Sequence, residues 1–287
     1  MGQEQAVSCS FSSMGHHGRL GNQIFQYALI KSISLAKGHE IFLPDSHDLG
    51  KYFVSEKLIG KAHSRRAPLT SRHYVETDPY LLDPEVFNIS EDTDFHGYFQ
   101  NMGYHLEYKK ELFASLEPLG DKLVEAGKII KKYCSNEHKS CSLHVRRGDY
   151  LRFAATFEHL DLEYYTSVLQ KIPTDHTILV MSDDIQQVQR EFKSYRGSHQ
   201  LIFIQDTCSV IDFYIMYLCE TNIISNSTFS WWASYLGDEF DQKVVYYPDS
   251  WIRLRDPPDL FKNSWHRCIK IKDWLKKKQW LELFSRI

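Results

Sequence analysis

Two adjacent arginines and a nearby aspartate follow an apolar segment in the middle of the chain. Cys141 to Val145 is typical of a strand, and Arg146, Arg147 and Asp149 come directly after it. Arginine stays charged, and its planar fork of donors can bind two phosphate oxygens at once, so this group suits a nucleotide diphosphate. One arginine could face such a ligand while Asp149 holds the other. The alternative is a surface ion-pair cluster at a strand end.

Two other segments place small and polar residues where a predicted helix begins. Gly15 to Gln23 follows the first predicted strand, and Ser225 to Trp232 opens a helix in the second half of the chain. The free backbone N–H groups at a helix start can bind an anion. A glycine-rich turn and an ordinary N-cap are the alternatives. We expect Trp231 and Trp232 in the core rather than on a sugar-binding surface, because they lie within the helix.

Three further polar groups are candidate ligands. Asp212 lies in an otherwise apolar segment and needs a partner, which a guanine edge or a buried arginine would supply. Asp92-Thr93-Asp94 resembles a D-x-D metal clamp, but we expect it in a polar turn away from the arginines. His16 and His17 lack further metal-type ligands beside them. We therefore expect no metal site.

These residues must be positioned by alternating strands and helices. The chain opens with a predicted strand at 6–12, a helix at 21–37 and a strand at 40–43, and a further strand is predicted at 95–100 and a helix at 121–134. From Cys141 onward the alternation is regular. We predict strands at 141–145, 177–181, 200–204, 222–225 and 243–247, separated by helices at 161–171, 185–194, 208–219 and 228–236.

This alternation predicts an α/β fold with a parallel, doubly wound sheet. Ligands of such sheets bind beyond the carboxyl ends of the strands, and Arg146, Asp183 and Ser227 each follow a different predicted strand. We expect these three strand ends to converge. The charged stretch 135–140 separates a predicted N-terminal domain, 1–138, from a predicted C-terminal domain, 139–287.

Composition narrows the classes of partner. The 287 residues carry a net charge of -3 and 43% hydrophobic residues, so nucleic acid is not expected as a partner. Six scattered cysteines without a C-x-x-C pair indicate reduced thiols and no zinc. Without a recognisable signal peptide or a long apolar run, we expect a soluble, cytoplasmic protein. Lys270 to Ile287 could form an amphipathic helix, which would pack on the fold or at most touch a membrane surface.

Several motifs together resemble the α-1,2-fucosyltransferases, glycosyltransferase family 11, over about residues 15–240. They are Gly18-Arg19-Leu20-Gly21-Asn22-Gln23-Ile24-Phe25-Gln26-Tyr27-Ala28, Gly97-Tyr98-Phe99-Gln100, His144 to Tyr150, Ser182-Asp183-Asp184 and Ser225 to Trp232. The resemblance implies a GT-B-like fold with two Rossmann-like domains facing a cleft. It also implies inverting, metal-independent transfer of fucose from GDP-fucose to the 2-hydroxyl of a terminal β-galactoside, with no cofactor.

The resemblance also implies roles for individual residues. His144 and Arg146 would bind the nucleotide and β-phosphate, and Asp212 the guanine. The rest of the expected donor-binding set is Arg19, Gly21, Asn22, Gln23, Arg147, Asp183, Asn226, Ser227, Thr228 and Ser230. Arg146 and Asn22 are expected to act in catalysis by stabilising the departing diphosphate, with Asp149 as candidate general base and Glu158 as a second candidate.

The sequence departs from this family at two points. His16-His17 precedes the first motif in place of the short double-glycine start of many bacterial members, and the membrane anchor of animal members is missing, which favours a cytosolic enzyme. Two alternatives remain. A GDP-fucose transferase of another linkage, α-1,6 or onto protein hydroxyls, shares the arginine strand but should lack the Ser225 to Trp232 motif. A non-catalytic carbohydrate-binding protein would present exposed aromatic side chains instead.

Overall fold

The computed structural model describes residues 6–16, 18–59, 72–134, 139–148, 158–238, 242–252, 260–262 and 264–268. The chain divides into two compact units, Met1–Leu123 with Pro258–Leu260, and Val124–Pro257 with Phe261–Ile287. This division lies inside a helix, whereas the predicted domain boundary at 138/139 follows that helix. Asp149 and the predicted C-terminal helix at 270–287 lie outside the described residues. Within the described part of the chain, no helix is long and apolar enough to cross a membrane.

The first unit is built around a four-stranded parallel sheet with the order β2-β1-β4-β3. Its strands are β1 (Ser8–Ser10), β2 (Glu40–Phe42), β3 (Arg72–Val75) and β4 (Thr93–His96). Its helices are α1 (Leu20–Lys37), α2 (Ser55–Ile59), α3 (Lys109–Ser115) and the first residues of α4 (Gly120–Tyr133). Short 3-10 turns lie at Leu49–Lys51, Pro84–Asn88 and Met102–Tyr104.

Glycines with left-handed backbone flank helix α1. Gly18, just before the helix, has φ +85°, and Gly38, just after it, has φ +75°. The N–H of Gly38 donates to Ser34 O at 2.8 Å and so closes the helix end. Glycine suits both positions because other L-residues pay a steric cost at positive φ.

The second unit contains a six-stranded parallel sheet. Its strands are β5 (Lys139–Val145), β6 (His176–Ser182), β7 (Leu201–Phe203), β8 (Thr221–Ile223), β9 (Val244–Pro248) and β10 (His266–Cys268). The helices are α5 (Leu162–Leu169), α6 (Ile185–Glu191), α7 (Ser209–Leu218) and α8 (Thr228–Leu236), and a 3-10 turn lies at Phe192–Ser194. Leu143, Tyr165, Val168, Val180 and Phe192 belong to one buried core cluster of this unit.

The order of this sheet is β10-β9-β8-β5-β6-β7. Numbered along the chain from β5, it reads 6-5-4-1-2-3, which is the strand order of a dinucleotide-binding Rossmann sheet. The order reverses between β5 and β8, and ligands of such sheets bind outside the carboxyl ends at this switch point. The strands and helices predicted between residues 141 and 247 are confirmed, with shifts of at most three residues at their ends.

One predicted strand is displaced. The strand expected at 95–100 is β4 at Thr93–His96, so Thr93 and Asp94 lie in a strand and not in the predicted turn. The backbone leaves the extended conformation after His96, because Gly97 has φ +153° and Phe99 φ +50°. Glu76 holds this corner by accepting hydrogen bonds from the N–H groups of Tyr98 and Phe99, at 2.6 and 2.7 Å.

Candidate functional site

The strand order brings the three predicted strand ends together. β5 pairs with β6 on one side and with β8 on the other, all in parallel. The segments that begin at Arg146, Asp183 and Ile224 therefore leave the sheet at neighbouring positions of one edge. This edge includes the switch point, where a ligand of such a sheet is expected.

Asp183 positions Arg146. The Arg146 Nη1 lies 2.9 Å from Asp183 Oδ2, and the backbone N–H of Arg147 donates to Asp183 Oδ1, also at 2.9 Å. The Arg146 side chain is 11% exposed. A Cβ atom at position 148 would clash with the Asp183 carboxylate, so Gly148 allows this approach. The ion pair thus holds the Arg146 guanidinium at the end of β5.

Arg147 faces the interior instead of a ligand. Its side chain is fully buried, and its Nη2 lies 2.6 Å from Glu191 Oε2 at the end of α6. Its Nη1 donates to the carbonyl oxygens of Arg146 and Leu160, both at 3.0 Å. The predicted donor-binding role of Arg147 is therefore corrected: its donors are used within the fold.

The partner of Arg147 was missed by the sequence analysis. Glu191 lies 44 residues further along the chain, and no local pattern connects the two. Burial raises the pKa of Glu191, but hydrogen bonds from Arg147 and Gln187 outweigh it and hold the pKa below its ordinary value. Glu191 is consequently a carboxylate at neutral pH and a stable partner for the buried guanidinium.

His144 spans the switch point. Its Nδ1 lies 2.9 Å from the Ser225 hydroxyl, which follows β8. Burial, reinforced by the nearby Arg146 charge, lowers the pKa of His144 to about 3. The imidazole is therefore neutral at physiological pH and offers one donor and one acceptor nitrogen. This arrangement suits the binding of a polar ligand group by the neutral imidazole.

Helix α8 begins beside this strand end. Ser227 is its N-cap residue and makes no side-chain capping bond, and Thr228 is its first residue. The first N–H groups of a helix have no partner within it, so this turn can accept an anion. The Ser230 hydroxyl is buried and donates to Ser227 O at 3.2 Å. Ser230 thus braces the turn, and Ser227 and Thr228 remain the candidate phosphate ligands.

Asn226 braces the loop before α8. Its side-chain amide donates to the carbonyl oxygens of Glu158 and Trp251, at 3.0 and 3.1 Å. The amide nitrogen therefore supports the loop, and the predicted contact of Asn226 with the donor stays a prediction. Within α8, Trp231 and Trp232 are fully buried, which confirms their prediction as core residues.

Asp212 lies in the first turn of α7 and is partly buried. The Thr207 hydroxyl donates to its Oδ1 at 2.6 Å. Burial raises the pKa of Asp212 to about 6, although the bond from Thr207 acts in the opposite direction. A partly desolvated carboxylate can bind two adjacent N–H donors of a ligand, which is the chemistry predicted for a guanine edge.

The predicted donor ligands Arg19, Gly21 and Asn22 lie at the start of α1 in the first unit. Arg19 is the exposed N-cap residue, and the buried Gly21 lies in the first turn. The Gln100 side chain donates to Asn22 Oδ1 at 2.9 Å. A Cβ atom at position 18 would clash with the Asn22 side chain. The bond from Gln100 orients the Asn22 amide, and the absence of a side chain at Gly18 leaves room for it.

Gln23 has a structural role. It is fully buried, its Oε1 accepts from the Asp48 N–H at 2.7 Å, and its Nε2 donates to Asp48 Oδ2 at 3.2 Å. Its predicted contact with the donor is therefore corrected, because both ends of its amide are used to hold the loop at Asp48.

The two aspartates of the D-x-D segment also accept hydrogen bonds within the fold. Asp92 accepts from the N–H and hydroxyl of Ser8, at 2.8 and 2.9 Å. Asp94 accepts from the hydroxyls of Ser10 and Ser12, at 2.8 and 2.6 Å. The two carboxylates thus anchor β1 and the turn that follows it.

Sequence comparison shows that the chain is similar to sugar transferases. Residues 10–267 match the family described as Glycosyl transferase family 11. The O-antigen biosynthesis glycosyltransferase WbnK of Escherichia coli is 25% identical over 86% of this chain and 97% of that protein. The alpha-1,2-colitosyltransferase of Escherichia coli is 26% identical over 83% and 91%, respectively. The galactoside 2-alpha-L-fucosyltransferase SEC1 of Bos taurus is 24% identical over 76% and 62%.

A solved structure supports the fold. The fucosyltransferase NodZ from Bradyrhizobium aligns with a TM-score of 0.53 and 13% identity, over 80% of this chain and 92% of that chain. At this identity the similarity shows the fold alone. It agrees with the two parallel sheets described above, and the predicted α/β, GT-B-like fold class is confirmed.

Proposed function

We propose that this chain, which belongs to glycosyltransferase family 11, transfers L-fucose from GDP-fucose to the 2-hydroxyl of a terminal β-galactoside. One observation carries the proposal: Arg146 lies at the end of β5, next to the switch point, and Asp183 fixes its guanidinium. The bovine galactoside 2-alpha-L-fucosyltransferase and the bacterial alpha-1,2-colitosyltransferase support the linkage and the acceptor.

The donor is proposed to bind along the carboxyl edge of the second sheet. Arg146 and the start of α8, at Ser227 and Thr228, would hold the diphosphate. The neutral His144 would donate or accept one hydrogen bond with the donor, and the Asp212 carboxylate would accept hydrogen bonds from the guanine N–H groups. Arg19 and Asn22 of the first unit remain proposed donor ligands, the Asn22 amide being oriented by Gln100.

The proposed reaction is an inverting displacement. The galactose 2-hydroxyl oxygen bonds to C1 of fucose while the bond from C1 to the β-phosphate oxygen breaks, so the β-linked donor yields an α-fucoside and GDP. Negative charge develops on the leaving diphosphate, and the fixed Arg146 charge stabilises it. The hydroxyl proton passes to a general base, for which Asp149, outside the described residues, is the proposed group and Glu158 the second candidate.

We further propose that the transfer requires no metal ion or cofactor. A guanidinium can neutralise a diphosphate in place of a divalent cation, and Asp183 holds the Arg146 guanidinium at the end of β5. Expected partners are therefore GDP-fucose and a galactoside-terminated glycan. The expected cytoplasmic location and the expectation of at most peripheral membrane contact stay predictions.

A second candidate differs only in the donor sugar. The name of a similar Escherichia coli protein, alpha-1,2-colitosyltransferase, suggests colitose as the transferred sugar in place of fucose, with the same linkage. Both donors would carry their sugar on GDP in this proposal, so Arg146 and Asp212 would have the same roles. The donor-sugar choice must therefore be measured directly.

The test is incubation of the purified chain with GDP-fucose and lactose in EDTA, with the product linkage read by NMR. Formation of 2′-fucosyllactose supports the donor, the linkage and the metal independence together. A parallel reaction with GDP-colitose ranks the two donors. An α-1,6 linkage, or GDP-fucose binding without transfer to any galactoside, would refute the proposed activity. The Arg146→Ala variant serves as the inactive control.

A further inference from the structure

Three potential metal ligands that are not among the proposed donor ligands meet in the first unit. His73 on β3 and Asp94 and His96 on β4 each offer a ligand atom, and these atoms lie within 4.8 Å of one another. Asp94 Oδ2 is 3.0 Å from His96 Nε2 and 3.9 Å from His73 Nδ1. We propose that this cluster, the His73–Asp94–His96 site, binds one divalent transition-metal ion, for which Zn²⁺ is the probe.

The parallel sheet explains why the three side chains converge. Asp94 and His96 are two residues apart on β4 and therefore point to the same face. His73 lies opposite Asp94 in the register of β3 and β4. Phe95, between the two β4 ligands, points to the other face, where it packs against Phe11 with a ring-centroid distance of 5.9 Å. The polar face of β4 is thus separate from its apolar face.

Neighbouring groups orient the carboxylate of the site. Asp94 Oδ1 accepts from the Ser10 hydroxyl and the Ser12 N–H, both at 2.8 Å, and Oδ2 accepts from the Ser12 hydroxyl at 2.6 Å. The Asp94 side chain is only 3% exposed. A buried carboxylate is typically paired with a charge or bound to a metal, and metal-binding carboxylates are themselves hydrogen-bonded in this way.

The ligand set selects the class of metal. Imidazole nitrogens suit zinc and neighbouring transition metals, whereas Mg²⁺ prefers oxygen ligands in an octahedron. In a tetrahedral zinc site with bonds of about 2.0–2.2 Å, ligand atoms lie roughly 3.4 Å apart. The separations of 3.0 and 3.9 Å from Asp94 Oδ2 fall on either side of this value. His73 and His96 are 67% and 35% exposed, which leaves a route for the ion and a position for water.

The site also involves two neighbouring strands of the sheet. β1 pairs with β4, and Asp94 bridges these two strands through Ser10. The site differs from the D-x-D clamp considered in the sequence, because Asp92 bonds to Ser8 and the two histidines replace it. The proposal does not depend on the transfer reaction, and it assigns no catalytic role to the ion.

The experiment measures metal binding without donor or acceptor. The purified, tag-free chain is stripped with EDTA, desalted and titrated with Zn²⁺ by calorimetry, and Co²⁺ is then used as a spectroscopic substitute. We expect one Zn²⁺ per chain, the visible absorption of four-coordinate Co²⁺, and a Zn²⁺-dependent rise in Tm. The His73→Ala and His96→Ala variants should each lower the affinity by more than ~100-fold, beyond the effect of losing an outer-shell partner.

Two controls separate this site from other ligands. His266→Ala removes an exposed histidine that stacks on Tyr246 in the second unit, and Cys208→Ser removes an exposed thiol. Both variants should bind Zn²⁺ as the parent chain does. Asp94→Asn should also abolish binding, but the histidine variants decide the outcome because Asp94 additionally anchors β1. No stoichiometric binding, or binding that survives loss of both histidines, would overturn the proposal.

Discussion

The guanidinium of Arg146 and the carboxylate of Asp183 form an ion pair across two neighbouring strand ends, with Nη1 and Oδ2 2.9 Å apart. We expect Asp183→Asn to lower kcat by roughly 10- to 100-fold, because small displacements of a catalytic group have effects of this size. The asparagine oxygen can still accept the Arg147 N–H, so the unfolding midpoint should change little. Steady-state kinetics and thermal unfolding measure the two effects.

The neighbouring Asp184 provides the matched control for this variant. Asp184 caps α6 by accepting from the Gln187 N–H at 3.1 Å, and asparagine caps a helix about as well as aspartate. Asp184→Asn should therefore retain parental kcat. Equal losses in the two variants would show that Asp183 has no special relation to Arg146.

The adjacent arginines should separate activity from stability. Arg146→Ala is expected to reduce kcat by roughly 10²- to 10³-fold, the typical effect of losing one group that stabilises transition-state charge. Arg147→Ala leaves Glu191 without its buried partner and should lower the free energy of unfolding by about 3–5 kcal/mol. Kinetics and denaturant unfolding of both variants test this.

The opposite result would reverse the assignment of the two arginines. A parental unfolding midpoint in Arg147→Ala, together with lost GDP affinity, would restore Arg147 as a donor ligand. An unfolded Arg146→Ala protein would assign the structural role to Arg146.

Asp212 should make GDP binding depend on pH. Burial raises its pKa to about 6, so the carboxylate that accepts the guanine N–H groups is lost as the pH falls through this value. We expect GDP affinity, measured by calorimetry, to decrease below about pH 6. Asp212→Asn should bind GDP weakly and without this pH dependence.

Asp212 also affects the stability of the free protein. GDP binding favours its charged form, whereas folding without GDP favours its protonated form. Because its folded-state pKa is raised, stability is greatest when Asp212 is protonated and falls as the pH rises through the interval up to about 6. Asp212→Asn should therefore raise the Tm of the free chain at neutral pH.

Asp206→Asn is the control for the Asp212 predictions. Asp206 is exposed at φ +59°, a conformation that asparagine tolerates, so this variant should keep the parental pH profile. A flat GDP-binding profile in the parent chain would contradict the assignment of Asp212 to the guanine.

The two glycines that flank α1 allow the cost of backbone strain to be distinguished from an effect on catalysis. Gly18→Ala and Gly38→Ala both place a side chain at positive φ, which costs about 1–2 kcal/mol of stability. Only the Gly18 substitution also clashes with the Asn22 side chain, whereas nothing lies near a Cβ at position 38. Gly18→Ala should therefore lose activity beyond its loss of stability, and Gly38→Ala should not.

Activity normalised to the folded fraction tests this pair. Equal normalised kcat values in Gly18→Ala and Gly38→Ala would show that Asn22 does not act in catalysis.

Local residue patterns are sufficient to predict the succession of elements in this protein. Apolar runs of strand length, separated by segments with helical periodicity, specify β5 to β9 and α5 to α8, because burial on both faces of a parallel sheet requires such runs. Caps and punctuating residues mark the ends of these elements, as Asp161, Asp184 and Gly38 do. The order of the motifs along the chain also indicated the family.

Which side chains meet depends on the three-dimensional fold. Arg146 and Arg147 are indistinguishable in sequence, yet the alternating directions of the chain turn one toward Asp183 and bury the other against Glu191. His73 and Asp94 come together in the same way, through the pairing of β3 with β4. Strand order and register arise from long-range packing, so local residue patterns do not contain these partnerships.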